Sequence, residues 1–247
     1  MTPISRHAGR AVDELRPISI TPGYSEYPEG SVLLELGDTR VLCNVTIEKG
    51  VPRWMDARDA QGGWITAEYA MLPRATQERT AREVDKPRAR SQEIRRLIGR
   101  SLRAGFNLEK LPAITCIVDC DVLQADGGTR TAAVTGGYVA LAIALNGLMV
   151  EGDPVEEIYK SPIAAISVGL LDGIPIVDLD YAEDSIAEAD INIVMNEKGE
   201  FIEIQGTAER EPFTMDTLNQ MLHLANGSIG QLVQIQRQTL EEQGVFL

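Results

Sequence analysis

A set of short alternating runs closed by a long apolar helix occurs twice along this chain, and that duplication constrains the fold more than any other feature. In the first half, residues 17–20, 30–36 and 39–47 read as strands, with Gly37-Asp38 as a hairpin turn. A turn-rich connection over 50–63 leads to a strand over 64–72, which stops at Pro73. Ile94, Leu97, Ile98, Ser101 and Leu102 then share one face of a helix over 91–104, with its arginines mostly elsewhere. A strand over 115–122, a glycine turn and an apolar helix over 131–149 complete that half. In the second half, residues 164–171 and 174–180 flank Asp172-Gly173, and residues 190–195 and 200–206 flank Lys198-Gly199, giving two hairpins. A helix over 214–242 follows, capped by Thr214 and striped by Leu218, Met221, Leu222, Ala225, Ile229, Leu232 and Val233. The expectation is an α+β fold of pseudo-duplicated β-α units. One domain spans 1–247, with halves at about 17–150 and 160–242 behind a polar, basic arm over 1–16.

With 247 residues, 44 % of them hydrophobic, the chain can bury a substantial core. No G-x-G-x-x-G follows a strand and no G-x-x-x-x-G-K-[ST] is present, which removes support for a dinucleotide site or nucleoside-triphosphate hydrolysis. Cys43, Cys116 and Cys120 are an odd set without C-x-x-C spacing, and His7 and His223 lie far apart, so buried free thiols are expected rather than disulfides or structural zinc. The weakly polar segment over 132–150 is interrupted by Thr135, Gly136, Gly137 and Asn146 and reads as a buried helix, not a membrane span. With no apolar signal-peptide core at the start, a cytoplasmic protein is expected.

The formal net charge of -14 disfavours indiscriminate nucleic-acid coating. The charge is unevenly spread, however. From Arg74 to Arg103, nine Arg and one Lys face only Glu78, Glu83, Asp85 and Glu93, so positive potential is localised on an acidic chain. Arg74, Arg79 and Arg82 suit contacts to an RNA backbone, and Arg79 and Arg82 would share a face if helical. Salt bridging at a subunit interface is the alternative use.

Two further constellations carry chemistry. Gly127-Gly128-Thr129-Arg130-Thr131 stands between a strand and an apolar helix. Its glycines let backbone N–H groups converge at a helix start, Thr129 adds a hydroxyl and Arg130 a planar fork for oxyanions. A plain glycine turn with Arg130 paired to an acid is the other reading. Arg90 is a second clamp if folding brings the two helix starts together. The acidic run over 178–190 offers Asp184 and Asp190, with Asp190 alternating with Asn192 on one strand face. Carboxylates here can hold magnesium, or donate a proton if burial or a like charge raises the pKa. Asp178, Asp180, Glu183 and Glu188 compete for these roles, as does a purely structural acidic loop.

Several motifs resemble the ribonuclease PH family of phosphate-dependent 3′-to-5′ exoribonucleases. They are Gly9-Arg10, Leu15-Arg16-Pro17, Glu29-Gly30-Ser31-Val32-Leu33, Trp64-Ile65-Thr66-Ala67-Glu68-Tyr69 and Met71-Leu72-Pro73-Arg74. The long match Cys120-Asp121-Val122-Leu123-Gln124-Ala125-Asp126-Gly127-Gly128-Thr129-Arg130-Thr131 joins them, with Glu183-Asp184-Ser185, Val194-Met195 and Gln205-Gly206-Thr207-Ala208-Glu209. The resemblance implies the duplicated fold shared with ribosomal protein S5 domain 2. It implies inorganic phosphate as co-substrate held by Arg90, Gly128, Thr129 and Arg130, and catalytic aspartates at Asp184 and Asp190, which would also hold Mg2+. It further implies RNA guidance by Arg74, Arg79 and Arg82, transfer-RNA precursors with a single-stranded 3′ tail as substrates, and a homohexamer built as a trimer of dimers. Nucleoside 5′-diphosphates would be released in a reversible reaction. The chain departs from the family over 83–89, where a Gly-rich, lysine-containing loop is usual, over 54–63, and in the amino-terminal arm. A hydrolytic 3′ exonuclease and a catalytically inactive RNA-binding ring scaffold are the competing functions.

Overall fold

The computed structural model describes Arg6 and residues 9–58, 61–84, 88–148 and 157–247. The parts of the arm and of the 54–63 and 83–89 departures that fall elsewhere lie outside the described residues.

Strand β1 (Ile18–Pro22), β2 (Gly30–Leu36) and β3 (Thr39–Lys49) form an antiparallel meander. The turn between β2 and β3 places Gly37 at φ +57, the glycine-first geometry that matches the twist of a two-residue hairpin. A four-residue helix α1 (Arg53–Asp56) interrupts the turn-rich connection before β4 (Trp64–Met71). Helix α2 (Ala89–Ala104) starts two residues earlier than expected, so Arg90 lies in its first turn rather than before it. Strand β5 (Ile114–Gln124) inserts between β3 and β4, antiparallel to the first and parallel to the second, giving a sheet ordered β1-β2-β3-β5-β4.

Helix α3 (Thr129–Leu148) is apolar on all sides because it is buried on all sides. It packs on β2 and β3 on one flank and on β6 (Ile163–Leu171) on the other. It is long and apolar enough to cross a membrane, but here its residues fill the core, as the interrupted pattern predicts. The approach is close: a Cβ on Gly30 would come within 2.1 Å of the Ala140 carbonyl oxygen.

The second sheet is fully antiparallel, ordered β7-β6-β8-β9 from β7 (Ile174–Val177), β6, β8 (Ala189–Asn196) and β9 (Phe201–Ala208). Asp172 and Gly173 both take positive φ at the β6–β7 turn, the demand that makes Asp-Gly a hairpin signal. Strand β7 ends at Val177, shorter than expected, and the acidic run continues into an unforeseen one-turn helix α4 (Tyr181–Asp184). Asp180 caps α4 by accepting from the Glu183 N–H at 2.9 Å, while the Glu183 carboxylate accepts from the Asp180 N–H. Helix α5 (Met215–Glu242), capped by Thr214, buries Met221, Ala225, Ile229, Leu232 and Val233 against Ile191, Ile193 and Met195 of β8. The three cysteines are free and buried, as expected.

Candidate active site

Register across the second sheet fixes one wall of a cavity of about 350 Å³. Ser167 on β6 stands opposite Asn192 on β8, which stands opposite Gln205 on β9; the next row is Gly169, Asp190 and Thr207. With Ile191, Ile193 and Met195 turned to α5, period-two alternation turns Asp190 and Asn192 to the cavity, as the sequence pattern indicates. The opposite wall is the start of α3. Arg90, from the start of α2, Gly127, Gly128, Thr129 and Arg130 line the same cavity as Asp184 and Asp190. The two helix starts are therefore together, which is the condition on which Arg90 could serve as a second clamp.

Gly127 and Gly128 take φ values of +78 and +66, conformations that side-chain-bearing residues resist. A Cβ at Gly127 would also fall 2.4 Å from the Leu179 carbonyl oxygen, so glycine is required twice over. The Arg130 guanidinium donates to Gln205 Oε1 at 3.2 Å, and Gln205 Nε2 donates to Glu93 on α2. Gln205 thus ties the α3 start to the α2 start. The Tyr69 and Thr129 hydroxyls lie 2.9 Å apart in a hydrogen bond. Burial raises the Tyr69 phenol, so it stays protonated at neutral pH.

The acidic run divides cleanly. Glu183 accepts from Arg6 through both oxygens at 2.9 Å and from Arg10 at 2.9 Å. Asp178 accepts from Arg16 Nη2 at 2.7 Å and Nε at 3.1 Å. Asp180 lies 3.7 Å from Arg10 and caps α4. Three of the competing carboxylates are therefore held by arm cations, whereas Asp184 and Asp190 line the cavity. Burial pushes the Asp190 carboxyl up to about 6, helped by the neighbouring Asp184 charge and opposed by Arg130. Asn192 Nδ2 donates to Asp190 Oδ2 at 3.3 Å. Asp184 is also raised by desolvation, with Arg130 and Arg90 pulling it back. A cationic floor beside two reluctant carboxylates can bind an oxyanion and retain a proton nearby.

Arg74, Arg79 and Arg82 are exposed on the loop between β4 and α2 and do not line the cavity. The described residues of that loop form no helix. Leu72 N–H donates to the Val122 carbonyl, and Thr80 N–H donates to the Pro73 carbonyl at 2.9 Å rather than to that of Thr76, so the three-residue spacing of Arg79 and Arg82 has no helical meaning here. The loop instead supplies Thr76 and Thr80 to the cavity rim. Sequence reasoning also missed Ser167, which lines the cavity, and Gln205, which accepts from Arg130, as site residues.

Solved structures that share this fold include the following three. Rice (Oryza sativa) Rrp46 is 21% identical, with a TM-score of 0.76 over 95% of this chain and 100% of that one. An Archaeoglobus fulgidus exosome with RNA bound to the active site gives 23% identity and a TM-score of 0.75 over 93% and 91%. An archaeal exosome core gives 21% and 0.71 over 96% and 90%. At such identity the likeness speaks for architecture alone. Membership rests on the sequence: residues 14–145 match domain 1 of the 3′ exoribonuclease family, of ribonuclease PH type, and residues 161–228 match its domain 2. The chain belongs to the ribonuclease PH family of 3′ exoribonucleases.

Proposed function

We propose that this protein is a phosphate-dependent 3′-to-5′ exoribonuclease. The observation that carries the reading is the convergence of Arg90, Arg130 and the Gly127–Thr129 turn with Asp184 and Asp190 in one cavity. Arg90 and Arg130 would offset the charge of inorganic phosphate and of the RNA phosphodiester, while Gly128 and Thr129 fix its orientation. A phosphate oxygen attacks the terminal phosphorus, and the bond to the preceding ribose 3′ oxygen breaks. That oxygen takes up a proton, and a nucleoside 5′-diphosphate leaves. Asp190, raised toward neutrality, is suited to hold that proton. The reaction runs backward at high diphosphate because the diphosphate bond is retained in the product.

Asp184 and Asp190 are also an all-oxygen donor pair of the kind magnesium accepts while keeping water and phosphate oxygens as its other ligands. Bound there, the ion would add positive charge beside the phosphates. Exposed Arg74, Arg79 and Arg82 suit the backbone of a single-stranded 3′ tail such as that of a transfer-RNA precursor, delivered within a homohexameric ring.

A second reading has its own support. Two of the similar structures named above are exosome assemblies, one with RNA bound, so an RNA-binding subunit of such an assembly, acting as a ring scaffold without catalysis, is the alternative. Incubating the full chain with 3′-labelled, single-stranded-tailed RNA and magnesium, with and without phosphate, separates the two. Phosphate-dependent nucleoside diphosphate supports phosphorolysis. Retained RNA with an intact 3′ end supports the scaffold, and monophosphate without added phosphate supports hydrolysis.

A further inference from the structure

The cavity's phosphate donors and its carboxylates come from segments far apart in sequence, yet one buried guanidinium touches the backing of both. Arg16 is only 6% exposed. Its Nε and Nη2 donate to the two carboxylate oxygens of Asp178 at 3.1 and 2.7 Å, and its backbone N–H donates to Asp178 Oδ2 at 2.7 Å. The remaining donors reach the phosphate turn. Nη1 donates to the Asp126 carbonyl, and Nη2 to the Gly127 carbonyl at 3.4 Å. Thr39 supplies a second grip, its hydroxyl donating to the Gly127 carbonyl at 2.6 Å and accepting from the Asp126 N–H at 2.9 Å.

A trans peptide holds its C=O and N–H on opposite sides. Pinning the Asp126 and Gly127 carbonyls toward Arg16 and Thr39 therefore turns the N–H groups of Gly127 and Gly128 the other way. Both residues line the cavity, and neither N–H has another partner among the described residues. At the other end of the clamp Asp178 is wholly buried at φ +53, a strained conformation for a side-chain-bearing residue. Its own N–H donates to the Ser167 carbonyl at 2.8 Å, and its carbonyl accepts from Arg10 at 2.9 Å. The segment it anchors leads through α4 to Asp184.

We propose that Arg16, with Thr39, is a positioning device for the phosphate site. It aims the Gly127 and Gly128 amides at the bound oxyanion and sets their distance from the carboxylate segment. Neither side chain touches substrate. The inference rests on the phosphate-dependent reading above. Arg16→Lys keeps the charge but loses the planar fork that reaches Asp178 and the turn at once. Thr39→Val removes the hydroxyl at nearly constant shape, and Thr39→Ser restores it.

The test is calorimetric titration of inorganic phosphate into the full chain and these three variants, with thermal melting as the check on folding. Affinity for a tailed RNA is measured without phosphate. Arg16→Lys and Thr39→Val should each weaken phosphate binding by about tenfold, one hydrogen bond's worth, while Thr39→Ser and all RNA affinities stay within about twofold of the parent. If folded Arg16→Lys and Thr39→Val bind phosphate like the parent, the positioning role is overturned while the phosphate site stands. If Arg16→Lys fails to fold, the Thr39 pair decides alone. A parent protein that binds no phosphate sinks the phosphorolytic reading and this inference together.

Discussion

Replacing Asp190 by Asn should make the protein more stable and less active, with the stability gain confined to one side of a pH boundary. In the folded chain burial pushes the Asp190 carboxyl from an ordinary 3.8 to about 6. A carboxyl whose folded pKa lies above its unfolded one favours folding only while protonated. That contribution is present below about pH 4 and is lost as pH rises through about 6. At pH 8 the ionised side chain therefore costs the native state up to about 3 kcal/mol, at about 1.4 kcal/mol per pKa unit. Asn has nearly the same shape, carries no charge, and still offers an oxygen to Asn192 Nδ2, now 3.3 Å from Asp190 Oδ2. Urea unfolding in chelator and without phosphate, at pH 3.5 and pH 8, measures the effect. The expected outcome is a gain of about 2–3 kcal/mol at pH 8 and almost none at pH 3.5, with phosphorolysis reduced by about 10²-fold or more. A variant that is no more stable than the parent at pH 8, or equally stabilised at both pH values, refutes the claim that desolvation controls this carboxylate.

Other outcomes follow from the same geometry. Arg130→Lys keeps a charge but gives up the fork that engages both Gln205 and an oxyanion, so KM for phosphate should rise by about tenfold in steady-state assays. Replacing Arg74, Arg79 and Arg82 together by Ala should flatten the slope of log affinity against log salt for single-stranded RNA by about 2. Because all three are exposed, the melting temperature should stay unchanged. Burial pushes the Cys116 thiol up to about 12, and a side-chain hydrogen bond with Cys43, followed by burial, raises that of Cys120. Ellman's reagent at pH 8 should therefore find almost no reactive thiol in the folded protein and all three free cysteines in urea.

The parts legible in the sequence are those whose determinants are local. Asp172-Gly173 announces a turn because both residues must take positive φ, and they do. Asp190 and Asn192 share a face because side chains alternate along β8. Gly127-Gly128 marks a donor-lined turn because both residues take positive φ and a Cβ at Gly127 would fall 2.4 Å from the Leu179 carbonyl oxygen. The hydroxyl of Tyr69 escapes such reading, since a residue with a buried ring reads as core whether or not its oxygen meets a site residue such as Thr129. Arg79 and Arg82 mislead in the opposite way, because their spacing has helical meaning only in a segment free to be helical. Thr80 N–H donates to the Pro73 carbonyl, not to the Thr76 carbonyl that a helix would use.

The acidic run over 178–190 is where local reasoning must fail, and its failure is informative. Asp178, Asp180, Glu183 and Asp184 are chemically near-equivalent carboxylates within seven positions, so nothing local to the run ranks them. What ranks them is a set of cations from the amino-terminal arm, 162 positions away from Asp178 for Arg16 and 177 from Glu183 for Arg6. Buried carboxylates left without such partners would protonate or force the segment out to water. With them, Asp178, Asp180 and Glu183 become scaffold, and Asp184 is left for the cavity together with Asp190. Arg130 beside both cavity acids, and Arg90 beside Asp184, only partly offset their desolvation, so both acids stay raised. Carboxylates fully satisfied by cations hold the fold, and those left short of partners are the ones free to exchange a proton or a ligand.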